Sequence, residues 1–334
     1  MKILLITSKE EDYLQDSIIH GFKELFGNNA LDYPVKSMLY DDYKDFNKIR
    51  GSGFTLYGLL DSNLKSKDID IENDILQNKF DLIVFTSIYR QYDFFYTNIE
   101  RIKKTHAVVW IMDGEDSPVL FPYLGKHLKQ FLFFPKPHNN FIYFKREFLP
   151  ETLRSIYFRL PLNFVHKFPY PKNVHPISFS IPQKKIISSQ PLKTKLFTQH
   201  IVDKDVATEL QGLKSTAVFA SEKDYYDDIQ KSKFGITTKR AGWDCLRHYE
   251  IAANGALICF RDLKAKPESC APHGLIPGYN CISYNSYEDL TNSINSISDE
   301  AYETLLLRSL DWIRNQTTIN RVKNLLSEFY KPLP

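Results

Sequence analysis

Phe234–Phe260, FGITTKRAGWDCLRHYEIAANGALICF, is the stretch from which the rest of the chain can be read. It runs from the end of an apolar strand through a basic, glycine-containing loop into a short helix, stops at a glycine and begins a second strand. Asp244 is placed to cap the helix, because its side-chain oxygen can take a free N–H of the first turn. Gly255 falls where a helix ending near Ala253 or Asn254 requires a left-handed residue. The loop ahead of the cap carries Lys239, Arg240, Gly242 and Trp243. Arg247 and Glu250 are three residues apart and share one helix face, while Leu246, Tyr249 and Ala253 are free to pack inward.

A helix N-terminus flanked by cations is an anion site, since its unpaired N–H groups and its dipole both favour negative charge. Arg247 has the fork geometry to grip a phosphate. Glu250, one turn deeper, can accept two hydrogen bonds from a vicinal diol such as a ribose. The ordinary reading of Arg247 and Glu250 is an i,i+3 ion pair on a helix surface. Two features point instead to a site for a nucleotide diphosphate: the helix is otherwise mostly apolar, so charges on it need partners, and the preceding loop adds two cations. Trp243 reads as packing, Asp244 as a cap, and His248 as a phosphate contact or a neutral partner of the backbone.

Arg240, Gly242, Trp243, Asp244, Arg247, Glu250, Ala253 and Gly255 together resemble the C-terminal donor-binding segment of GT-B glycosyltransferases, nearest to the spore-maturation and exostosin-like groups. The resemblance implies that the glutamate binds the nucleotide ribose and the arginine the diphosphate. The sequence departs from the larger retaining group, which carries Glu-x7-Glu: Glu250 matches the second glutamate, and the first position is Gly242. The stereochemical course is therefore left open.

Composition sets the outer bounds. The 334 residues suffice for two domains. Apolar content of 43% and charged content of 25% are those of a globular protein. A net charge of +3 argues against a chain dominated by nonspecific nucleic-acid binding. Cys245, Cys259, Cys270 and Cys281 form no CxxC pair, so free thiols are expected rather than a zinc site. The opening MKILLITSKEED reads as a first strand, not a leader, and no run approaches the roughly 18 apolar residues of a membrane span.

Residues 2–7, 82–87 and 107–112 read as buried strands, with a helix over Tyr13–Phe26 between the first two. Strands alternating with helices predict a parallel sheet, whose ligands sit at the carboxyl ends of the strands. The third strand ends in Asp113-Gly114-Glu115-Asp116, which reads either as a solvated turn or as the source of a general base for an acceptor hydroxyl; Asp113, Asp116 and Glu115 are the candidates. Residues 131–134 and 141–144 read as further strands, followed by a solvated basic turn at Lys145-Arg146. The five prolines of 161–182 exclude a long helix or central strand and mark a linker. Strands are then expected at 185–188, 195–198, 217–220, 257–260 and 280–284, and terminal helices from Trp312 to Phe329.

The expectation is thus an α/β chain of two Rossmann-like domains facing a cleft: 1–160 for the acceptor, a linker at 161–182, 183–310 for a nucleotide sugar, and 311–334 as helices returning to the first domain. The implied activity is transfer of a sugar from a nucleotide-sugar donor to a hydroxyl acceptor, a glycan, a lipid-linked sugar or another alcohol. Donor contacts are expected from Lys239, Arg240, Gly242, Trp243, Asp244, Arg247 and Glu250. No metal is expected, since Asp68-Ile69-Asp70 stands in an ill-defined polar segment rather than at the donor loop. The alternatives are a noncatalytic nucleotide- or glycan-binding protein and a transferase acting on DNA bases. The expected location is the cytoplasm, free or peripheral at a membrane.

Overall fold

The computed structural model describes residues 1–66, 70–123, 126–155, 171–210 and 219–330. Asp68, the 217–218 half of the strand expected at 217–220 and the 161–170 part of the linker lie outside the described residues.

Two parallel sheets organise the chain. The first has six strands in the order β2-β1-β3-β4-β5-β6: β1 Ile3–Ile6, β2 Ala30–Tyr33, β3 Leu82–Phe85, β4 Val108–Asp113, β5 Ile142–Lys145 and β6 Val174–Pro176. The second has four, in the order β10-β9-β8-β7: β7 Lys195–Phe197, β8 Ser232–Thr238, β9 Leu257–Arg261 and β10 Ile282–Tyr284. β1 and β3 are buried at every position, as strands covered by helices on both faces must be. Helix α1 (Tyr13–Phe26) crosses from β1 to β2, and α3 (Ile88–Ile102) from β3 to β4; the short α2 (Ile71–Leu76) precedes β3. Asp12 caps α1 by accepting from the backbone N–H groups of Leu14 and Gln15.

Several expectations are corrected here. Residues 131–134 are not a strand: α4 spans Leu128–Phe133, followed by a single turn, α5, at Pro137–Asn140. The aromatic run favours a strand by propensity, but Leu128 and Leu132 stand one helical turn apart on an exposed face. The proline-rich segment is more than a linker, because Val174–Pro176 forms an edge strand of the first sheet, where a proline without an N–H is tolerated. Residues 185–188 stay out of the sheet; Ile187 donates its N–H to Ala253 O at 2.9 Å. Lys145 and Arg146 are buried in ion pairs rather than solvated.

In the second half α6 (Lys204–Glu209), α7 (Glu222–Lys231), α8 (Leu246–Ala253) and α9 (Tyr287–Ser296) flank the smaller sheet. Helix α10 begins at Asp299, well before Trp312, and ends at Asn315; α11 (Thr318–Phe329) follows after a break. Helix α11 crosses back to the first domain. His20 Nδ1 on α1 lies 3.0 Å from Thr318 Oγ1, and the Phe329 ring packs edge-on against Phe144 of β5 at 5.0 Å. A Cβ on Gly21 would run into the backbone of Thr318, so this glycine is what lets α1 and α11 approach.

Candidate functional site

The carboxyl ends of the two sheets face one another across a cleft with two lobes. One, of about 550 Å³, is built from the first domain: Glu10–Tyr13 after β1, Arg90 on α3, Gly114–Asp116 after β4 and Arg146 after β5. The other, of about 320 Å³, is lined by His200 after β7 and by Cys245–Arg247 and Glu250 after β8, with Tyr225 of α7. Tyr13 and Arg50 line both lobes, which makes them one continuous groove.

The helix of the smaller lobe ends as its sequence predicts. Gly255 adopts φ +72°, its N–H bonds Ala252 O at 3.0 Å, and Ala256 N–H bonds Ile251 O at 3.1 Å, the paired closure of a Schellman motif. Its start differs. Cys245 holds the cap position, with no side-chain cap, and Asp244 sits one residue earlier. The Asp244 carboxylate is committed elsewhere, accepting from the Phe179 N–H at 2.8 Å and the Tyr249 hydroxyl at 2.9 Å. Burial raises its pKa to about 6. The first turn of α8 therefore meets the cleft uncapped.

Arg247 and Glu250 line the lobe without forming the surface ion pair that their spacing allows. The Arg247 Nη1 lies 2.7 Å from His200 Nδ1, and its Nε is buried without a hydrogen-bond partner. Among the described residues no carboxylate stands within ion-pair distance of this guanidinium. Glu250 accepts from the Tyr225 hydroxyl at 2.8 Å and from the Thr55 hydroxyl of the first domain. Thr55 Oγ1 also lies 2.7 Å from the Tyr226 hydroxyl, and its backbone N–H meets Glu222 Oε1 at 2.6 Å.

The loop that delivers Thr55 is conformationally costly. Ser52 has φ +55° and Thr55 φ +76°, the latter a true outlier for a β-branched residue. Such outliers collect at functional sites, where the surrounding structure holds them in place. Arg50, Ser52 and Phe54 of the same loop line the smaller lobe, and Phe54 stacks on Tyr225 at 6.2 Å.

The remaining loop residues divide. Trp243 is buried and packs towards Phe260. Gly242 is required by close approach, because a Cβ there would overlap the carboxylate of Glu147. Glu147 is buried and accepts from the N–H groups of Trp243 (3.0 Å) and Asp244 (3.2 Å), so the first domain clamps the loop. His248 is neutral and internal: its Nε2 donates to Trp243 O at 3.0 Å, its Nδ1 lies 3.0 Å from Thr237 Oγ1, and burial lowers its pKa to about 3. Lys239 and Arg240 do not join Arg247 and Glu250. They are exposed on a separate shallow surface with Arg261 and Asp262, Lys239 lying 4.8 Å over the Trp243 ring.

The acidic run also divides. Asp113 is fully buried, bonded to Lys145 Nζ at 2.8 Å and to the Tyr143 hydroxyl, and lines neither lobe. Its neighbours do line the groove: Glu115 pairs with Arg90 at 2.7 Å, and Asp116, its side chain 52% exposed, pairs with Arg146. Sequence reading missed Tyr13, Arg50, Thr55, His200 and Tyr225. In sequence the 50–55 loop is marked only by Gly51-Ser52-Gly53, and a lone Gly-x-Gly does not signal a ligand loop.

No protein-family profile matches the chain, and no curated protein sequence does either. Solved structures do. HepE from Anabaena, in complex with UDP and glucose, superposes with a TM-score of 0.55 at 11% identity, covering 98% of this chain and 100% of that one. A glycosyltransferase from Rickettsia africae gives 0.54 at 9% identity over 99% and 97% of the two chains. The apo form of the lipopolysaccharide outer core galactosyltransferase WaaB gives 0.51 at 10% identity over 100% of both. At these identities the likeness is one of fold, and this chain has the GT-B glycosyltransferase fold.

Proposed function

We propose that the protein transfers a sugar from a nucleotide-sugar donor to a hydroxyl acceptor. One observation carries the reading: Arg247, a cation with a buried, unpartnered Nε and, among the described residues, no carboxylate within ion-pair distance, lines the same cavity as the Glu250 carboxylate. A diphosphate satisfies the first and a ribose diol the second. Glu250 already accepts from Thr55 and Tyr225, yet a carboxylate has about four acceptor sites, so two remain for the diol. The structures of HepE with UDP and with UDP and glucose support a donor of this class.

In this reading, cleavage of the sugar–phosphate bond places charge on the departing diphosphate. Arg247, Arg50 and the uncapped first turn of α8 stabilise it in place of a metal ion. The acceptor lies in the larger lobe, where Asp116 or Glu115 takes the proton of the attacking hydroxyl. Asp113, sealed behind Lys145, holds the loop that carries them. The larger lobe is lined by five carboxylates, Glu10, Glu11, Asp12, Glu115 and Asp116, against three arginines, Arg50, Arg90 and Arg146, a net charge of −2 (3 − 5), so the acceptor is a neutral or cationic polyol. That disfavours DNA, whose phosphates would meet these carboxylates.

The test is a panel of UDP, GDP, CMP, ADP and TDP by calorimetry, followed by donor turnover with and without sugar acceptors. Binding of one nucleotide with slow donor hydrolysis supports a transferase. Binding with no turnover on any acceptor or water returns the noncatalytic alternative.

A further inference from the structure

Helix α4 presents Leu128, Leu132 and Phe133 to solvent at 53, 57 and 78% exposure, the last the second most exposed large apolar side chain among the described residues. Leu128 and Leu132 stand one turn apart, with Phe133 and Lys129 completing the outward face. Lys126 precedes the helix and Lys136 follows it, its Nζ lying 4.3 Å over the Phe131 ring. From Ser117 to Arg146 the chain contains no aspartate or glutamate, as is also true of residues 152–202. Asp93 of α3, near His127, and Asp113 and Glu115, near Tyr123, are acids that face this segment from neighbouring elements.

We infer that this face docks on the surface of an anionic lipid bilayer, with the three apolar side chains entering the interface and the three lysines meeting the headgroups. An apolar face rimmed by lysine is the composition that such surfaces bind. The charge favours this occupant over a second copy of the chain, whose patch would bring the same lysines together. The patch adjoins the cleft. His127 packs edge-on to Tyr89 at 5.6 Å, and the guanidinium of Arg90, which lines the larger lobe, lies 5.7 Å over the same Tyr89 ring. A bilayer seated on α4 would therefore lie beside the larger lobe, where an acceptor carried on a lipid can enter. The docking itself does not depend on the glycosyl-transfer reading.

The experiment is co-sedimentation of the full chain with vesicles of phosphatidylcholine alone and of phosphatidylcholine doped with phosphatidylglycerol. Each lysine near an anionic leaflet is worth roughly fivefold in partitioning, about 1 kcal/mol. Three give on the order of 100-fold preference for the anionic vesicles, lost in Lys126→Gln/Lys129→Gln/Lys136→Gln and reduced by salt. Leu128→Ser/Leu132→Ser/Phe133→Ser should abolish binding to both vesicle types, with an unchanged melting temperature. The inference is overturned if the wild type stays in the supernatant, if either triple variant sediments like the wild type, or if the serine variant converts a dimer to a monomer by light scattering.

Discussion

The hydrogen bond between Thr55 and Glu250 ties the strained loop of one domain to the smaller lobe, on the other, and Thr55→Val isolates it. Valine keeps the β-branched shape at φ +76°, so the backbone cost is unchanged and only the hydroxyl is lost. That hydroxyl donates to Glu250 and pairs with the Tyr226 hydroxyl. A bond to a charged group contributes about 1.5–3 kcal/mol and a neutral one about 1, so the variant should lose about 3 kcal/mol in urea denaturation. A double-mutant cycle with Glu250→Ala, which removes the acceptor, should return a coupling of about 1.5–3 kcal/mol. The same variant frees one oxygen of Glu250 for a ribose. Nucleotide binding, read by calorimetry, should therefore hold or tighten while the apo protein weakens. A coupling below about 0.5 kcal/mol, the limit of ordinary additivity, refutes the bond. Weakened nucleotide binding refutes the competition between threonine and diol.

Acid should destabilise the protein well before its carboxylates protonate in bulk. Burial lowers the pKa of His20 and His248 to about 3 and of His138 and His273 to about 4, so their stabilising contribution is full above 6.5 and is lost as pH falls from 6.5 towards those values. At pH 5.5 the four together cost about 5 kcal/mol, while Asp244, raised to about 6, returns about 1 as it protonates. The melting temperature should fall steeply between pH 7 and 5; a flat profile would mean that these imidazoles are solvated. Gly242→Ala places a methyl group against the Glu147 carboxylate that holds the Trp243 and Asp244 N–H groups. It should cost about 1–3 kcal/mol by overpacking and weaken nucleotide binding, both measurable in one thermal-shift titration. Asp116→Asn should leave nucleotide affinity within about twofold, because the residue lies in the other lobe, and should reduce donor turnover by about 10²–10⁴-fold if it is the base.

Strands β1, β3, β4 and β9 were legible because they are nearly uninterrupted apolar runs, and the helix at Leu246–Ala253 because Gly255 marks its end. What sequence could not show was how long-range partners redirect a side chain. Asp244 has the ordinary look of a cap, and only the positions of Phe179 and Tyr249 explain why it serves them instead. Lys239 and Arg240 sit next to Arg247 in the chain, but β8 ends before them and turns them to another surface. Lys145 and Arg146 read as a solvated turn because their partners, Asp113 and Asp116, lie a whole crossover away. Thr55 and Arg50 come from a segment with neither helical nor strand periodicity, whose shape depends on positive-φ residues and on contacts with the second domain. The helix at Leu128–Phe133 was hidden by its own composition, since consecutive aromatic residues favour a strand wherever packing does not decide.

The most direct measurement is the affinity of the wild type and of Arg247→Ala for a nucleoside diphosphate. One diphosphate of the panel should stabilise the wild type, by about 2.7 kcal/mol at a hundredfold excess over its dissociation constant. The corresponding nucleoside should bind far more weakly, and Arg247→Ala should lose the difference between the two while melting at or near the wild-type temperature. A folded wild type that no diphosphate stabilises, or an Arg247→Ala variant that binds the diphosphate as the wild type does, would contradict the proposed diphosphate site.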